Sequence, residues 1–167
     1  MSKWINMLLD LLRQVQATQR ERDRIAGKTT KRSVPPTRPV ELGVRVEYTP
    51  EMDGSADPGE VVWAWVPYEE DPNRGKDRPV VVIGRTDTDA GPCLAGVALT
   101  SKNKRRDDHV PVGTGSWDPK RRDSWAKVDR LLLFADGDIR REGAVLAKNR
   151  FDDVVGNAAR YHDLVRS

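Results

Sequence analysis

The chain has 167 residues, of which 33% are charged and 37% hydrophobic, a balance typical of a soluble globular protein. Its single cysteine, Cys93, excludes an intrachain disulfide and fits a reducing cytoplasm. No apolar run approaches the roughly 20 residues of a membrane span, and Asp10 interrupts the N-terminal apolar stretch, which argues against a signal peptide. The net charge of +3 is uneven, with +6 on residues 1–38 and −3 on the remainder, so any nucleic acid held by that remainder must bind local basic patches.

Residues 3–24 are predicted to form an amphipathic helix, because apolar side chains recur at the i, i+3, i+4 spacing of one helical face. The face consists of Trp4, Met7, Leu8, Leu11, Leu12 and Val15. This helix would either dock on its own domain or self-associate, or else its basic flank would favour a membrane surface or a partner protein. Residues 28–43 contain three prolines and are predicted to be a linker.

From residue 44 onward, short apolar segments alternate with turn residues, which is typical of a small antiparallel barrel. Residues 44–48 alternate like an edge strand, and further strands are predicted at 60–67, 79–85, 94–100, 108–112 and 124–134. A helix is predicted from about Arg150 to Val165, with Asn149 as its cap. Its apolar face would consist of Phe151, Val154, Val155, Ala158, His162 and Val165.

The predicted elements divide the chain into three parts. Residues 1–27 hold the amphipathic helix, residues 28–57 the Pro-rich linker with the edge strand, and residues 58–167 one mainly β (α+β) domain that ends in a helix.

No metal or nucleotide cofactor is expected from the residue spacing. The two histidines and one cysteine show no ligand spacing, and the acidic pairs are adjacent in sequence instead of converging from different segments. The chain has neither a Walker-type loop nor a Gly-x-Ser-x-Gly elbow.

Four motifs in order resemble the MazF/PemK (Kid) toxin family of bacterial toxin–antitoxin systems, over roughly residues 58–165. They are Gly59-Glu60-Val61-Val62-Trp63, then Gly75-Lys76-Asp77-Arg78-Pro79 before Val80-Val81-Val82-Ile83, then Val97-Ala98-Leu99-Thr100-Ser101-Lys102, and last Asp123-Ser124-Trp125-Ala126-Lys127-Val128-Asp129. The resemblance implies an SH3-like barrel with a C-terminal helix, acting as a homodimer. It also implies cleavage of single-stranded RNA without metal, leaving a 2′,3′-cyclic phosphate, in an interface groove for which the antitoxin competes.

The resemblance also implies the catalytic residues. Arg78 corresponds to the family's catalytic arginine, and its planar fork matches phosphate oxygens, although an ion pair with a neighbouring carboxylate is the plainer interpretation. Thr100 corresponds to the motif threonine near the scissile phosphate, although a strand-end hydroxyl also serves the backbone. Lys127 and Asp129 correspond to the family's Arg-x-Asp pair and are expected on one side of a strand, as acid–base groups or as a plain salt bridge.

Two positions depart from the family pattern. Lys127 replaces an arginine and lacks its bidentate fork. Asn73 lies near the place of a loop Glu or His and cannot act as a base, so one of the three loop acids, Glu69, Glu70 and Asp71, would have to replace it. These loop acids are otherwise expected to be a solvated face of the loop.

Several groups are predicted to bind RNA. Two basic clusters, Lys102-Lys104-Arg105-Arg106 and Lys120-Arg121-Arg122, follow predicted strands and would contact the RNA backbone. The predicted substrate contacts are Arg74, Lys76, Ser101, Lys102, Lys104, Arg105 and Trp117. Trp117 and Trp125 would stack on bases. His109 is expected on the strand surface and His162 on the core side of the helix.

Two rival interpretations remain. The first is a non-catalytic module of the same fold that binds RNA or a protein, which the departures at Lys127 and Asn73 favour. The second is a gyrase-directed toxin, because the related CcdB family shares the fold without nuclease activity. The retained Gly-x-x-Arg-Pro and Thr-Ser motifs argue against the second.

Overall fold

A computed structural model describes residues 43–167, apart from the side chains of residues 141 and 142. The helix predicted over 3–24 and nearly all of the predicted linker lie outside this range. The strands are β1 Val44–Val46, β2 Glu60–Pro67, β3 Gly75–Thr88, β4 Gly91–Thr100, β5 His109–Gly113, β6 Ser124–Lys127, β7 Leu132–Phe134, β8 Ile139–Val145 and β9 Leu164–Arg166. One helix, α1, spans Lys148–Ala158, and a 3-10 turn spans Asp136–Asp138.

The strands form one curled, largely antiparallel sheet, with β3 near its centre. β3 pairs with β1, β2 and β4, while β4 also pairs with β6 and β7, and β5 continues from β6. β8 pairs with β2, and β9 pairs in parallel with β1. The expected mainly β architecture with a C-terminal helix is thus confirmed, as a curled half-barrel.

Both faces of the central strands are buried, which explains their continuous β-branched runs. One face packs against α1 and forms the helix-side core, which includes Val61, Val81, Ile83, Val97, Leu99, Phe151, Val154 and Val155. The other face forms the second core, of Val62, Ala64, Val66, Val80, Val82, Leu94, Ala98, Leu132 and Phe134. Alternate residues of each strand therefore contribute to different cores.

The single strand predicted at 124–134 is wrong, because the chain forms two strands there. Ala126 pairs with Leu99, but Leu132 pairs with Gly96, so six residues on one side span three on the other. The extra residues form a turn, in which the backbone N–H of Val128 donates to the Asp108 carbonyl at 2.9 Å. The predicted strand is interrupted because β6 and β7 pair with β4 in different registers.

The predicted helix is also too long, and its predicted cap is wrong. The helix runs over Lys148–Ala158 with Ala147 at the N-cap, so Asn149 lies inside the first turn. The helical spacing of apolar residues continues by coincidence to Val165, which belongs to β9 and pairs with β1. His162 therefore lies beyond the helix, where its Nε2 is 2.8 Å from the Val128 carbonyl oxygen.

Candidate functional site

The register of four neighbouring strands, in the order β5–β6–β4–β3, aligns the candidate site residues on one face. His109 pairs directly with Lys127, and Ala98 pairs directly with Val80. The β6–β4 pairs at Leu99 and Thr100 place Lys127 beside Ala98 when the register is continued by one step. Directly paired residues project from the same face of a sheet, so these side chains share the face of the second core.

Arg78 lies two residues before Val80 in β3, and Thr100 lies two residues after Ala98 in β4, so both side chains are also on this face. Continuing the Val80–Ala98 register places Arg78 across from Thr100. Together with Lys127 and His109, these residues line an open groove of about 620 Å³. The structure thus brings together three of the four predicted catalytic residues.

Arg78 is held rigidly at its backbone and has a free head group. It pairs with Ala64 of β2 and precedes Pro79, so its backbone is fixed inside the sheet. Among residues 43–167, its half-buried guanidinium has neither an ion pair nor a side-chain hydrogen bond. The plainer interpretation of Arg78 as a structural ion pair therefore finds no partner within the described range.

Thr100 lies at the end of β4, where the basic loop begins. Its Oγ1 accepts a hydrogen bond from the Lys102 N–H at 3.1 Å, which is the backbone role considered above. The hydroxyl can still donate its own proton. Ser101, Lys102 and Lys104 follow it and also line the groove.

Lys127 and Asp129 do not share a strand face as predicted, because β6 ends at Lys127 and Asp129 lies in the turn beyond it. Lys127 Nζ pairs instead with Glu69 Oε1 of the β2–β3 loop, at 3.4 Å. Asp129 is half-buried and is not among the residues that line the groove. Its Oδ1 is buried and has no hydrogen-bond partner in the described part of the chain.

His109 is buried, so its expected position on the strand surface is wrong. The alternation with Val110 and Val112 correctly turns its side chain away from the helix-side core, but the opposite face is covered as well. Burial lowers the pKa of His109, with Lys127 also lowering it and the Asp108 carboxylate opposing this. His109 therefore stays neutral at neutral pH and is a groove residue that sequence reasoning missed.

Further charges surround the groove in ion pairs. Burial raises the pKa of Asp108, but the hydrogen bond and charge of Arg106, 2.8 Å away, outweigh it and leave the pKa below its usual range. The Arg122 side chain likewise lowers the pKa of Asp118, at 2.7 Å. Arg106 and Arg122 both line the groove and still present donors to it.

The predicted RNA-binding residues divide into two sets. Lys76, Ser101, Lys102 and Lys104 line the groove, whereas Arg74 and Arg105 are exposed outside its lining. Trp117 lines it only from below, because 3% of its surface is exposed and its indole N–H donates to Ser124 Oγ at 3.1 Å. Its predicted stacking on bases is wrong for this conformation, because no ring face is open.

The described residues contain no cluster of three or more metal-ligating side chains. Within the same range, no helix has both the length and the apolar character needed to cross a membrane.

Comparison with known proteins identifies the family. A family model described as "PemK-like, MazF-like toxin of type II toxin-antitoxin system" matches residues 57–160. No match was found among curated proteins.

Among solved structures, MazF of Deinococcus radiodurans (form I) is 16% identical, with a TM-score of 0.50 over 65% of this chain and 96% of that chain. The Mycobacterium tuberculosis toxin MazF-mt6 is 14% identical, with a TM-score of 0.46 over 64% of this chain and 98% of that chain. At these identities the likeness concerns the fold alone. Since the family model spans more than half of the chain, the protein belongs to the PemK-like, MazF-like toxins of type II toxin–antitoxin systems.

Proposed function

We propose that this toxin is an endoribonuclease that cleaves single-stranded RNA without a metal ion. One observation carries the proposal, namely that Arg78, Thr100 and Lys127 meet on one face of the sheet in an open groove. The Arg78 guanidinium in particular has no carboxylate partner among the described residues and is free to bind a phosphate.

The reaction begins with attack of a ribose 2′-oxygen on the adjacent phosphorus. Asp129 accepts the 2′-hydroxyl proton as the O2′–P bond forms, and Lys127 protonates the 5′-oxygen as the P–O5′ bond breaks. Arg78 and Thr100 donate hydrogen bonds to the non-bridging oxygens, where negative charge develops. The products are a 2′,3′-cyclic phosphate and a 5′-hydroxyl, and Asp129 must turn toward the groove to take part.

The RNA backbone would lie along the cations of the groove. Lys76, Lys102, Lys104, Arg106 and Arg122 line it, so binding should weaken steeply as salt rises. Lys127 must exchange its Glu69 partner for a phosphate, which costs little because exposed ion pairs contribute at most about 1 kcal/mol.

We further propose that the protein acts in the cytoplasm as a homodimer and that a cognate antitoxin blocks the groove. The type II toxin–antitoxin family supports the antitoxin. The cations around the groove suit an acidic antitoxin segment, because such a segment would compete with RNA for the same donors.

The test compares wild-type protein with Arg78→Ala on mixed-sequence single-stranded RNA in EDTA, with the RNA ends mapped and assayed for cyclic phosphate. Loss of one donor to the transition state should lower the cleavage rate by about 10²–10³. Arg45→Ala is the matched control, because Arg45 pairs with the far end of β3, opposite Arg85. Its rate should equal that of wild type.

Other outcomes favour the rivals. A folded wild-type protein that binds RNA without cutting it would favour the non-catalytic module. The Lys127–Glu69 pair and the absence of Asp129 from the groove lining support that module. Equal rates for wild type and Arg78→Ala would remove Arg78 from the site. Gyrase inhibition without RNA binding would point to the gyrase-directed toxin.

A further inference from the structure

Three side-chain atoms around β5 and β6 are buried without a hydrogen bond from the described residues, and two of them have complementary needs. The third, Asp108 Oδ2, lies 2.8 Å from the Arg106 guanidinium, whose charge compensates it. His109 Nε2 and Asp129 Oδ1 are both buried, and neither has a hydrogen bond to any residue of the described range. Buried polar groups in native proteins are nearly always paired, because an unpaired one costs about 1–3 kcal/mol. These two atoms therefore call for an explanation.

The contacts of the His109 ring decide which atom donates. The backbone N–H of Lys104 donates to Nδ1 at 3.5 Å, so Nδ1 acts as an acceptor. A neutral imidazole carries its single proton on the other nitrogen. Nε2 therefore bears the proton and is a donor without an acceptor, whereas Asp129 Oδ1 is an acceptor without a donor.

The strand register places the two side chains near each other. His109 pairs with Lys127, and the ladder continues one step further through the bond from Val128 N–H to the Asp108 carbonyl at 2.9 Å. Asp129 follows directly after this bond, so its backbone lies in the turn two residues beyond the strand partner of His109. The Asp129 carboxylate also acts on the titration of His109, raising its pKa against the larger effect of burial.

We propose that His109 Nε2–H donates a hydrogen bond to Asp129 Oδ1 in the working enzyme and holds this carboxylate toward the groove. His109 is then a positioning residue, and Asp129 Oδ2 remains free to accept the 2′-hydroxyl proton. This inference rests on the proposed function, because it assigns Asp129 its orientation in that reaction. Asp129 lies in a turn and does not line the groove, whereas His109 does. The hydrogen bond from His109 would therefore hold the Asp129 carboxylate close enough to the groove to contact RNA.

The first test observes the imidazole nitrogens directly, by long-range ¹H–¹⁵N correlation in the full-length protein. The chain has two histidines, His109 and His162, so His162→Gln assigns both sets of signals. His109 should show the Nε2–H form, and its Nε2–H signal should move when Asp129 is changed to Ala and when a non-cleavable 2′-O-methyl RNA is added. A signal that is indifferent to Asp129→Ala in both states would overturn the proposal.

The second test is a double-mutant cycle in single-turnover cleavage. His109→Phe keeps the ring shape without the donor and should lower the cleavage rate about tenfold, with RNA affinity nearly unchanged. In the Asp129→Ala background the same change should have almost no effect. His109→Gln returns an N–H donor and should restore most of the rate, and His162→Gln should behave as wild type.

Additive losses in the cycle, or equal losses for His109→Phe and His109→Gln, would assign His109 a packing role only and overturn the inference. The two proposals fail separately. If the wild-type protein does not cleave RNA, the enzyme proposal fails and the nitrogen signals still judge the hydrogen bond. If it cleaves RNA and the His109 signals ignore Asp129, only the present inference fails.

Discussion

At the residue scale, the groove carries its own anions beside its cations. Glu69 lies 3.4 Å from Lys127, and Asp77 lies 2.8 Å from Arg140. Glu69 lies in the loop between β2 and β3, and Asp77 lies in β3 directly before Arg78. The free protein thus neutralises a cation that RNA would otherwise bind, and part of the binding energy must replace this contact.

We expect Glu69→Gln to bind single-stranded RNA about two- to fivefold more tightly than wild type. The change releases Lys127 from an exposed ion pair, and such pairs contribute at most about 1 kcal/mol. Fluorescence anisotropy with a labelled RNA measures the affinity, and thermal unfolding should show almost no shift.

Glu70→Gln is the matched control for this prediction. It removes the same charge from the neighbouring residue, which also lines the groove but does not pair with Lys127. A smaller gain in affinity is expected from it. Equal gains for both variants would mean that only the overall charge of the loop matters.

At the element scale, β2 and β3 approach very closely just before Arg78. Gly75 pairs with Pro67, and a Cβ built on Gly75 would overlap the Val66 carbonyl oxygen. The glycine of the Gly-x-x-Arg-Pro motif is thus required because the backbone of β2 leaves no room for a side chain.

We therefore expect Gly75→Ala to lower the free energy of unfolding by about 1–3 kcal/mol, as overpacking typically does. The strand shift should also lower RNA cleavage, because Arg78 is three residues along the same strand. Chemical denaturation measures the first effect. Gly137→Ala is the control, since nothing lies within 4 Å of a Cβ there, and its stability should match wild type.

Strands were predictable from sequence where apolar runs were continuous. The prediction at 60–67 matches β2, and those at 79–85 and 94–100 lie inside β3 and β4. The break after Lys127 was not predictable, because it results from which part of β4 each segment pairs with. Local apolar spacing contains no information about that register.

The candidate site was predictable in part. The family motifs led to Arg78, Thr100 and Lys127, which the register brings together. The buried position of His109 was not predictable from the sequence. Alternation shows only that its side chain points away from the helix-side core, and it does not show that the opposite face of the sheet is buried too. The Lys127–Glu69 contact also depends on loop shape, which residue type does not determine.

At the scale of the whole molecule, burial of His109 makes stability depend on pH. Its pKa is about 6.5 when unfolded and lower in the folded protein, mainly because burial disfavours the charged ring. Between these two values the unfolded chain binds more protons. The free energy of unfolding should therefore fall as the pH drops below about 6.5 and stop falling, for this group, below the folded pKa.

Replacing His109 with Gln should flatten this part of the stability profile. Urea unfolding of wild type and variant at about pH 8 and about pH 5 measures the difference, and His162 cancels because both proteins contain it. The carboxylates with lowered pKa values, Asp108 and Asp118, act at more acidic pH. An identical slope in both proteins would show that His109 is not buried in its neutral form.

The parallel pairing of β1 with β9 has a kinetic consequence. Val44 lies beside Leu164, so this contact closes a loop of about 120 residues, whereas β3 and β4 are joined by a short turn after Thr88. Loop-closure entropy delays contacts between distant residues, and sheets rich in them fold in milliseconds to seconds. The β3–β4 hairpin can therefore form early and carry Arg78 and Thr100 with it, while the edge of the sheet that β1 and β9 complete is expected to assemble last.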